Sequence, residues 1–239
     1  MSAGERKPNF LPLPLSDNHN DDTRTVKLHR SNNGTISLSV PGRNISHIER
    51  FFRRRCVRDL LGIGPHPLGI YPDVKEVSEA ESVRHAMVRR LRMNEGSSKT
   101  VAIIVGDGRT PRVGALLAFT TAWEVYSIDP ALMPGAWSDI RRFKAIPCNV
   151  ENVPLMLVGG MRLSGVERVV VAAPHSHALL DDAVALARRS YPNARRMDAI
   201  AMPCCVRQTI TGREHCDIRY EDLGVWSAKS VIQIWTNVV

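Results

Sequence analysis

The 239-residue chain has no apolar run near the length of a membrane span, which takes about 20 predominantly apolar residues. Its first residues are polar and carry no apolar h-region, so no signal peptide is expected. Cysteine is sparse and irregular. Cys56, Cys148, Cys204, Cys205 and Cys216 are odd in number and do not space out as a secreted disulfide framework. The expected setting is intracellular, cytoplasmic or nuclear. The C-x2-C and H-x3-H spacings that give zinc motifs their specificity are missing too. His175, His177, Cys204, Cys205, His215 and Cys216 could approach one another, but adjacent Cys204 and Cys205 would point different ways on a strand. Neither an obligatory metal nor a membrane partner is expected.

What is present suits one globular domain with a sizeable core and an appendage: 44% hydrophobic and 23% charged residues. The net charge is +8 and the pI about 9.6, which favours polyanionic partners, nucleic acid before membrane. The charge is uneven. Between Pro41 and Lys99, twelve Lys/Arg face seven Asp/Glu, a net of +5. A solvated basic surface has the same composition, so charge alone proves no nucleic-acid binding.

Three regions follow. Residues 1–40 are polar and rich in Asn, Asp, Ser, Pro and Thr, with little apolar content to offset ordering entropy. They read as a flexible tail with a short strand at Thr35–Val40. Residues 41–98 form a basic helical region. One helix is expected over Ser46–Leu61, capped by Ser46, with Ile48, Phe52, Cys56 and Leu60 on one face. A second is expected from Ser78, where Ser78-x-x-Glu81 reads as a capping box, to about Met93. Both can present arginines to phosphates, with Arg53 and Arg54 as candidates. Both can equally be amphipathic helices with soluble outer faces.

From residue 99 the chain alternates short apolar strands with helical stretches, the sign of a parallel α/β sheet. Strands are expected at Val101–Val105, Glu124–Ile128, Lys144–Cys148, Arg168–Ala172 and Asp198–Met202. Helices are expected at Pro111–Thr121, Trp137–Phe143, Asn152–Met161 and Leu179–Ser190. Asp217–Glu221 and Ser230–Asn237 follow without an intervening helix, which suggests a closing antiparallel pair.

The segment from Thr100 to Pro130, TVAIIVGDGRTPRVGALLAFTTAWEVYSIDP, carries the most chemistry. An apolar strand ends in the turn Gly106-Asp107-Gly108, which lets backbone approach a ligand closely. The N–H groups of the following helix start can hold a carboxylate or phosphate, with Arg109 and Arg112 beside them. Asp129 ends the next strand 21 residues beyond Gly108, near the offset at which an acidic side chain holds ribose hydroxyls. An adenosine-type cofactor at the carboxyl edge of the sheet is one reading. The other is an ordinary strand–turn–helix with Thr110 as N-cap and Pro111 at N1. The third glycine of the dinucleotide fingerprint comes late, at Gly114, which with the closing hairpin argues against a nicotinamide enzyme.

This ground plan, an α/β Rossmann-like sheet, mostly parallel with a terminal antiparallel strand pair and preceded by basic helices, resembles the class I S-adenosylmethionine-dependent methyltransferases. The likeness covers roughly Thr100 to Val239. His175, Asp182, Ala183, Pro203, Cys204 and Cys205 are similar to an H-x-C…D…A…P-C-C pattern. That pattern belongs to the branch including tRNA ribose 2′-O-methyltransferases of the CHHC zinc-finger type. His177 departs from it, standing where that branch has Cys, and no zinc-finger segment is visible. The resemblance implies S-adenosylmethionine as cofactor and RNA as substrate. It places Gly106, Asp107 and Gly108 at the methionine part, Asp129 at the ribose, Asn149 at the adenine edge, and Pro174, His175 and Ser176 facing the methyl group. His175 is the candidate base, since a ribose hydroxyl has a high pKa and histidine titrates near working pH; it can also be a structural histidine fixing the turn. A cysteine-nucleophile mechanism would use Cys204 or Cys205. The competing function is a methyltransferase-like fold that has lost catalysis and works as a nucleic-acid-binding or assembly protein.

Overall fold

A computed structural model describes residues 27–30, 36–39, 43–63, 68–158 and 165–238. The strand expected near residues 35–40 is present as β2 (Ile36–Ser39), paired antiparallel with β1 (Lys27–Arg30). The rest of the tail lies outside the described residues. Three helices follow: α1 (Ser46–Phe52), α2 (Val57–Leu60) and α3 (Val74–His85), which runs on through a wider π turn at Ala86–Arg90.

The single helix expected over Ser46–Leu61 is thus two, broken at residues 53–56. Arg54 turns aside there to pair with Glu81, whose side chain is fully buried. A tertiary ion pair outweighs local helix continuity. Ser46 does not cap α1; its own N–H is received by Asn44 Oδ1 at 3.0 Å. The capping box is also overturned. Asp73 caps α3 five residues earlier than expected, accepting from the Glu76 N–H at 2.9 Å. Ser78 and Glu81 therefore sit inside the helix, buried.

The remaining chain builds a seven-stranded sheet from β3 (Thr100–Val105), β4 (Glu124–Ile128), β5 (Phe143–Ile146), β6 (Arg168–Pro174), β7 (Arg196–Met202), β8 (Ile218–Glu221) and β9 (Val231–Trp235). They lie in the order β5-β4-β3-β6-β7-β9-β8. The first five are parallel, and β9 runs antiparallel to both β7 and β8. This is the Rossmann-like arrangement with a reversed terminal pair. The crossover helices are α4 (Arg112–Thr120) and α5 (Leu180–Ser190).

Alternation along each strand feeds two cores. Ala102 and Ile104 of β3 join Leu116 of α4 and Val83 of α3 on one face, while Val101, Ile103 and Val105 join Val184 of α5 on the other. Covering both faces is what permits unbroken apolar runs such as VVVAA in β6. The helices expected at Trp137–Phe143 and Asn152–Met161 are reduced to short 3-10 turns at Ala136–Asp139, Val150–Asn152 and Leu155–Leu157. Gly135 stands extended before the first. Pro154 separates the other two, and a proline cannot continue a helix hydrogen-bond ladder. Residues 159–161 lie outside the described residues.

The early helices are stitched to the sheet edge by Asp222, in the β8–β9 connection. Its Oδ2 lies 2.8 Å from His47 Nε2 of α1 and accepts from Ser82 Oγ of α3 at 2.6 Å, while Oδ1 accepts from the Gly224 N–H. Burial pushes this carboxyl up. The hydrogen bonds from His47 and Ser82 and the charge of His47 outweigh it and bring the pKa down to about 2 from 3.8. A folded-state value below the unfolded one stabilises above the unfolded pKa and is lost as pH falls through the folded one. Urea midpoints measured from pH 6 down to pH 2 are therefore expected to fall less steeply in Asp222→Asn than in the parent, the difference opening below about pH 4.

Candidate functional site

Strand order reverses between the parallel neighbours β3 and β6, with β4 and β5 added on one side and β7 on the other. Ligands in open parallel sheets bind beyond the carboxyl strand ends at such a switch point. A cavity of about 510 Å³ opens there, within the usual range of small-molecule sites. Its walls include the β3 turn Gly106–Gly108, Asp129 after β4, Asn149 after β5 and Pro174–Ala178 after β6. Of the residues singled out in the sequence, the structure brings Gly106, Asp107, Gly108, Arg112, Asp129, Asn149, Pro174 and His175 to this one cavity.

Gly106 has φ +73°, and a Cβ there would come within 2.7 Å of the Ser176 backbone. The glycine is what lets the β3 and β6 ends approach. Gly108, at φ +80°, gives its N–H to Asp129 Oδ2 at 2.9 Å. The other oxygen of Asp129 accepts from the Ala131 N–H at 2.7 Å. Two backbone donors fix the carboxylate, and about two of its four lone-pair sites remain for a ligand.

The helix start differs from expectation. Asp107 is only 2% exposed and turns inward. Its Oδ1 accepts from the Val113 N–H, and its Oδ2 from the Gly114 N–H and Ser127 Oγ, at 2.9, 2.9 and 2.6 Å. Burial pushes this carboxyl up, and those hydrogen bonds oppose the rise. The Arg112 N–H goes to Thr110 O and the Ala115 N–H to Pro111 O. The helix-start amides expected to hold an anion are therefore engaged within the protein, and a buried aspartate, not Thr110, caps α4. The Thr110 hydroxyl donates to Ile70 O instead.

A further wall comes from α3, outside the sheet. Lys75, Glu76 and Glu79 face the cavity. Glu79 is 5% exposed. Its Oε1 lies 3.0 Å from His175 Nε2 and 3.3 Å from Lys75 Nζ. The His175–Glu79 contact is at ion-pair distance but poorly directed, and neither atom makes a well-aimed hydrogen bond among the described residues. Burial raises the Glu79 carboxyl. The His175 contact and the Lys75 charge outweigh that and leave it below the ordinary glutamate value, so it is ionised at neutral pH. His175 itself has φ +52°, a conformation that costs energy in a non-glycine residue and concentrates at functional sites. Glu76 pairs with Arg112, holding that guanidinium beside Gly108. The signal in the sequence was the Lys-Glu-x-x-Glu spacing at 75–79. It reads as a solvated charged face until the helix is seen to cross the sheet end.

The other arginines lie elsewhere. Arg109 is exposed and outside the cavity lining. Arg54 is held by Glu81. Arg50, Arg53 and Arg55 border a separate groove of about 650 Å³ with Arg84, whose pKa burial pulls down to about 10. That groove ends at Thr120, the far end of α4 from the cavity, roughly 12 Å away at 1.5 Å per helical residue. No helix of the described residues is long and apolar enough to cross a membrane.

No family model matches the chain, and no curated protein matches it in sequence. Among solved structures, a mutant of MtNAS in complex with S-adenosylmethionine aligns over 79% of this chain and 69% of that chain, with TM-score 0.47 and 11% identity. A TehB-like SAM-dependent methyltransferase from Corynebacterium glutamicum aligns over 81% and 100%, with TM-score 0.40 and 15% identity. The METTL16 MTase domain aligns over 89% and 87%, with TM-score 0.40 and 10% identity.

Proposed function

We propose that the switch-point cavity binds S-adenosylmethionine and that the chain transfers its methyl group to RNA. The observation that carries this reading is the convergence of the Gly106–Gly108 turn, Asp129 and the His175–Glu79 pair on one cavity. The donor set fits a zwitterionic nucleoside. Asp129 retains acceptor capacity for ribose hydroxyls, Arg112 and Lys75 suit a carboxylate, and Glu76 and Glu79 suit an ammonium and a sulfonium. Asn149 lies at the strand end where an adenine edge would rest. When bound, the cofactor supplies an electrophilic methyl group, so the protein's task is alignment and proton removal. The ionised Glu79 favours the imidazole tautomer with its proton on Nε2, leaving Nδ1 as the basic nitrogen for an acceptor hydroxyl. Pro174 and the left-handed turn fix where that ring stands.

RNA is favoured as acceptor by the net charge of +8 and by the arginine groove one helix length from the cavity. The test is transfer of labelled methyl groups from S-adenosylmethionine to total RNA. Arg53→Glu with Arg55→Glu is expected to weaken RNA binding, and to reduce its salt slope by about 1 for each phosphate no longer neutralised. Both side chains are exposed, so cofactor binding should stay unchanged. Equal RNA affinity and salt slope in parent and variant would remove the groove from the account.

One observation favours a second reading, a nucleic-acid-binding protein without catalysis. The α4 amides are spent on Asp107, and Arg112 is held beside Gly108 by Glu76. RNA binding without S-adenosylmethionine binding would select it.

A further inference from the structure

The absent zinc spacing and the expected divergence of Cys204 and Cys205 argued against a metal, but the second premise does not hold in the fold. β7 ends at Met202, so Pro203, Cys204 and Cys205 form a bend beyond the strand, and the alternation of a strand no longer separates the two sulfurs. They lie 3.4 Å apart. Across from them, the left-handed turn at His175 directs the chain after β6 so that His177 Nε2 comes 3.1 Å from Cys205 Sγ. The three ligand atoms all lie within 4.8 Å of one another. A tetrahedral zinc centre sets sulfur–sulfur and sulfur–nitrogen edges of about 3.8 and 3.6 Å, from bond lengths of about 2.3 and 2.0 Å. The Cys204–Cys205 and Cys205–His177 separations lie within about half an ångström of those edges, and rotation of the exposed His177 side chain shortens the third, which is within 4.8 Å. All five cysteines are free, and Arg207 and Lys229 border the same depression as Cys204 and Cys205.

We propose that His177, Cys204 and Cys205 form a mononuclear zinc site of the open Cys2His type, with water in the fourth position. Each thiol gives up its proton to solvent as it ligates, and the ion with two thiolates and a neutral imidazole carries no net charge. Two thiolates and one imidazole suit zinc over the hard cations, which take oxygen ligands. His177 also lines the main cavity. The metal therefore ties the loop after β6 to the loop after β7 at the cavity rim. The two loops already meet through the His175 N–H and Met202 O, at 2.9 Å. The site stands whether or not the cavity binds S-adenosylmethionine.

The test uses the full chain, purified under a metal-free phosphine reductant, and reads zinc by elemental analysis. Cobalt is then exchanged in, and its spectrum recorded. About one equivalent of zinc is expected, with the sulfur-to-cobalt charge-transfer and intense visible bands of a tetrahedral thiolate centre. Both are expected to disappear in Cys204→Ser with Cys205→Ser, and to fall at least tenfold in His177→Ala. Cys216→Ser should retain both. His177 and Cys205 are exposed, and circular dichroism checks that each variant is folded. Folded, reduced protein with less than a tenth of an equivalent of zinc and no thiolate–cobalt band would overturn the site. So would metal content unchanged in the double serine variant.

Discussion

Asp107→Ala is expected to lower the unfolding free energy by about 3–5 kcal/mol, the scale of breaking a buried charged network. The carboxylate receives three donors, the Val113 and Gly114 N–H groups and Ser127 Oγ, all buried. Alanine leaves all three unsatisfied, at about 1–3 kcal/mol each before relaxation. It also removes the link between the β3 turn, the α4 start and the carboxyl end of β4. With a urea slope of about 2–3 kcal/mol/M, the midpoint should drop by roughly 1–2 M without a change in slope. Asp107→Asn keeps one acceptor oxygen and should fall between. A loss below about 1 kcal/mol for the alanine variant would mean that the carboxylate does not hold the helix start.

His175→Asn is expected to lower methyl transfer about 10²- to 10⁴-fold, the usual contribution of a general base. Cofactor affinity should be unchanged. Asparagine is the informative replacement because it tolerates a left-handed backbone, and His175 has φ +52°; alanine would mix strain with lost chemistry. Glu79→Gln keeps the shape of its partner and removes the charge, so its turnover should lie between parent and His175→Asn. Single-turnover methyl transfer to an RNA acceptor, with calorimetry for the cofactor, separates the two effects. Full transfer in His175→Asn would assign the histidine to fixing the turn and nothing more.

The sheet was legible because its signals are local. Apolar runs bounded by Gly106, Asp129 and Pro174 announce strand ends, and β4 stands where the sequence places it, at Glu124–Ile128. Strand ends in a parallel sheet share one edge, so Asp129, Asn149 and His175 could be grouped without coordinates. What could not be read depends on distant partners. Asp107 looks like a ligand-binding turn residue until α4 folds over it. Glu79 looks like a solvent-facing charge until α3 crosses the sheet end and brings it to His175. Arg54 looks like a free phosphate ligand until Glu81 claims it. Cys204 and Cys205 look divergent until the bend after Met202 brings their sulfurs to 3.4 Å. In each case, tertiary placement changes a polar side chain's role without changing the local pattern.

Titration calorimetry with S-adenosylmethionine and S-adenosylhomocysteine on the folded chain measures directly whether the cavity holds the cofactor. One site per chain is expected, with affinity falling about 10- to 100-fold in Asp129→Ala, the loss of hydrogen bonds to a charged acceptor worth about 1.5–3 kcal/mol. No heat of binding from the folded parent, or equal affinity in Asp129→Ala, would contradict cofactor binding in this cavity.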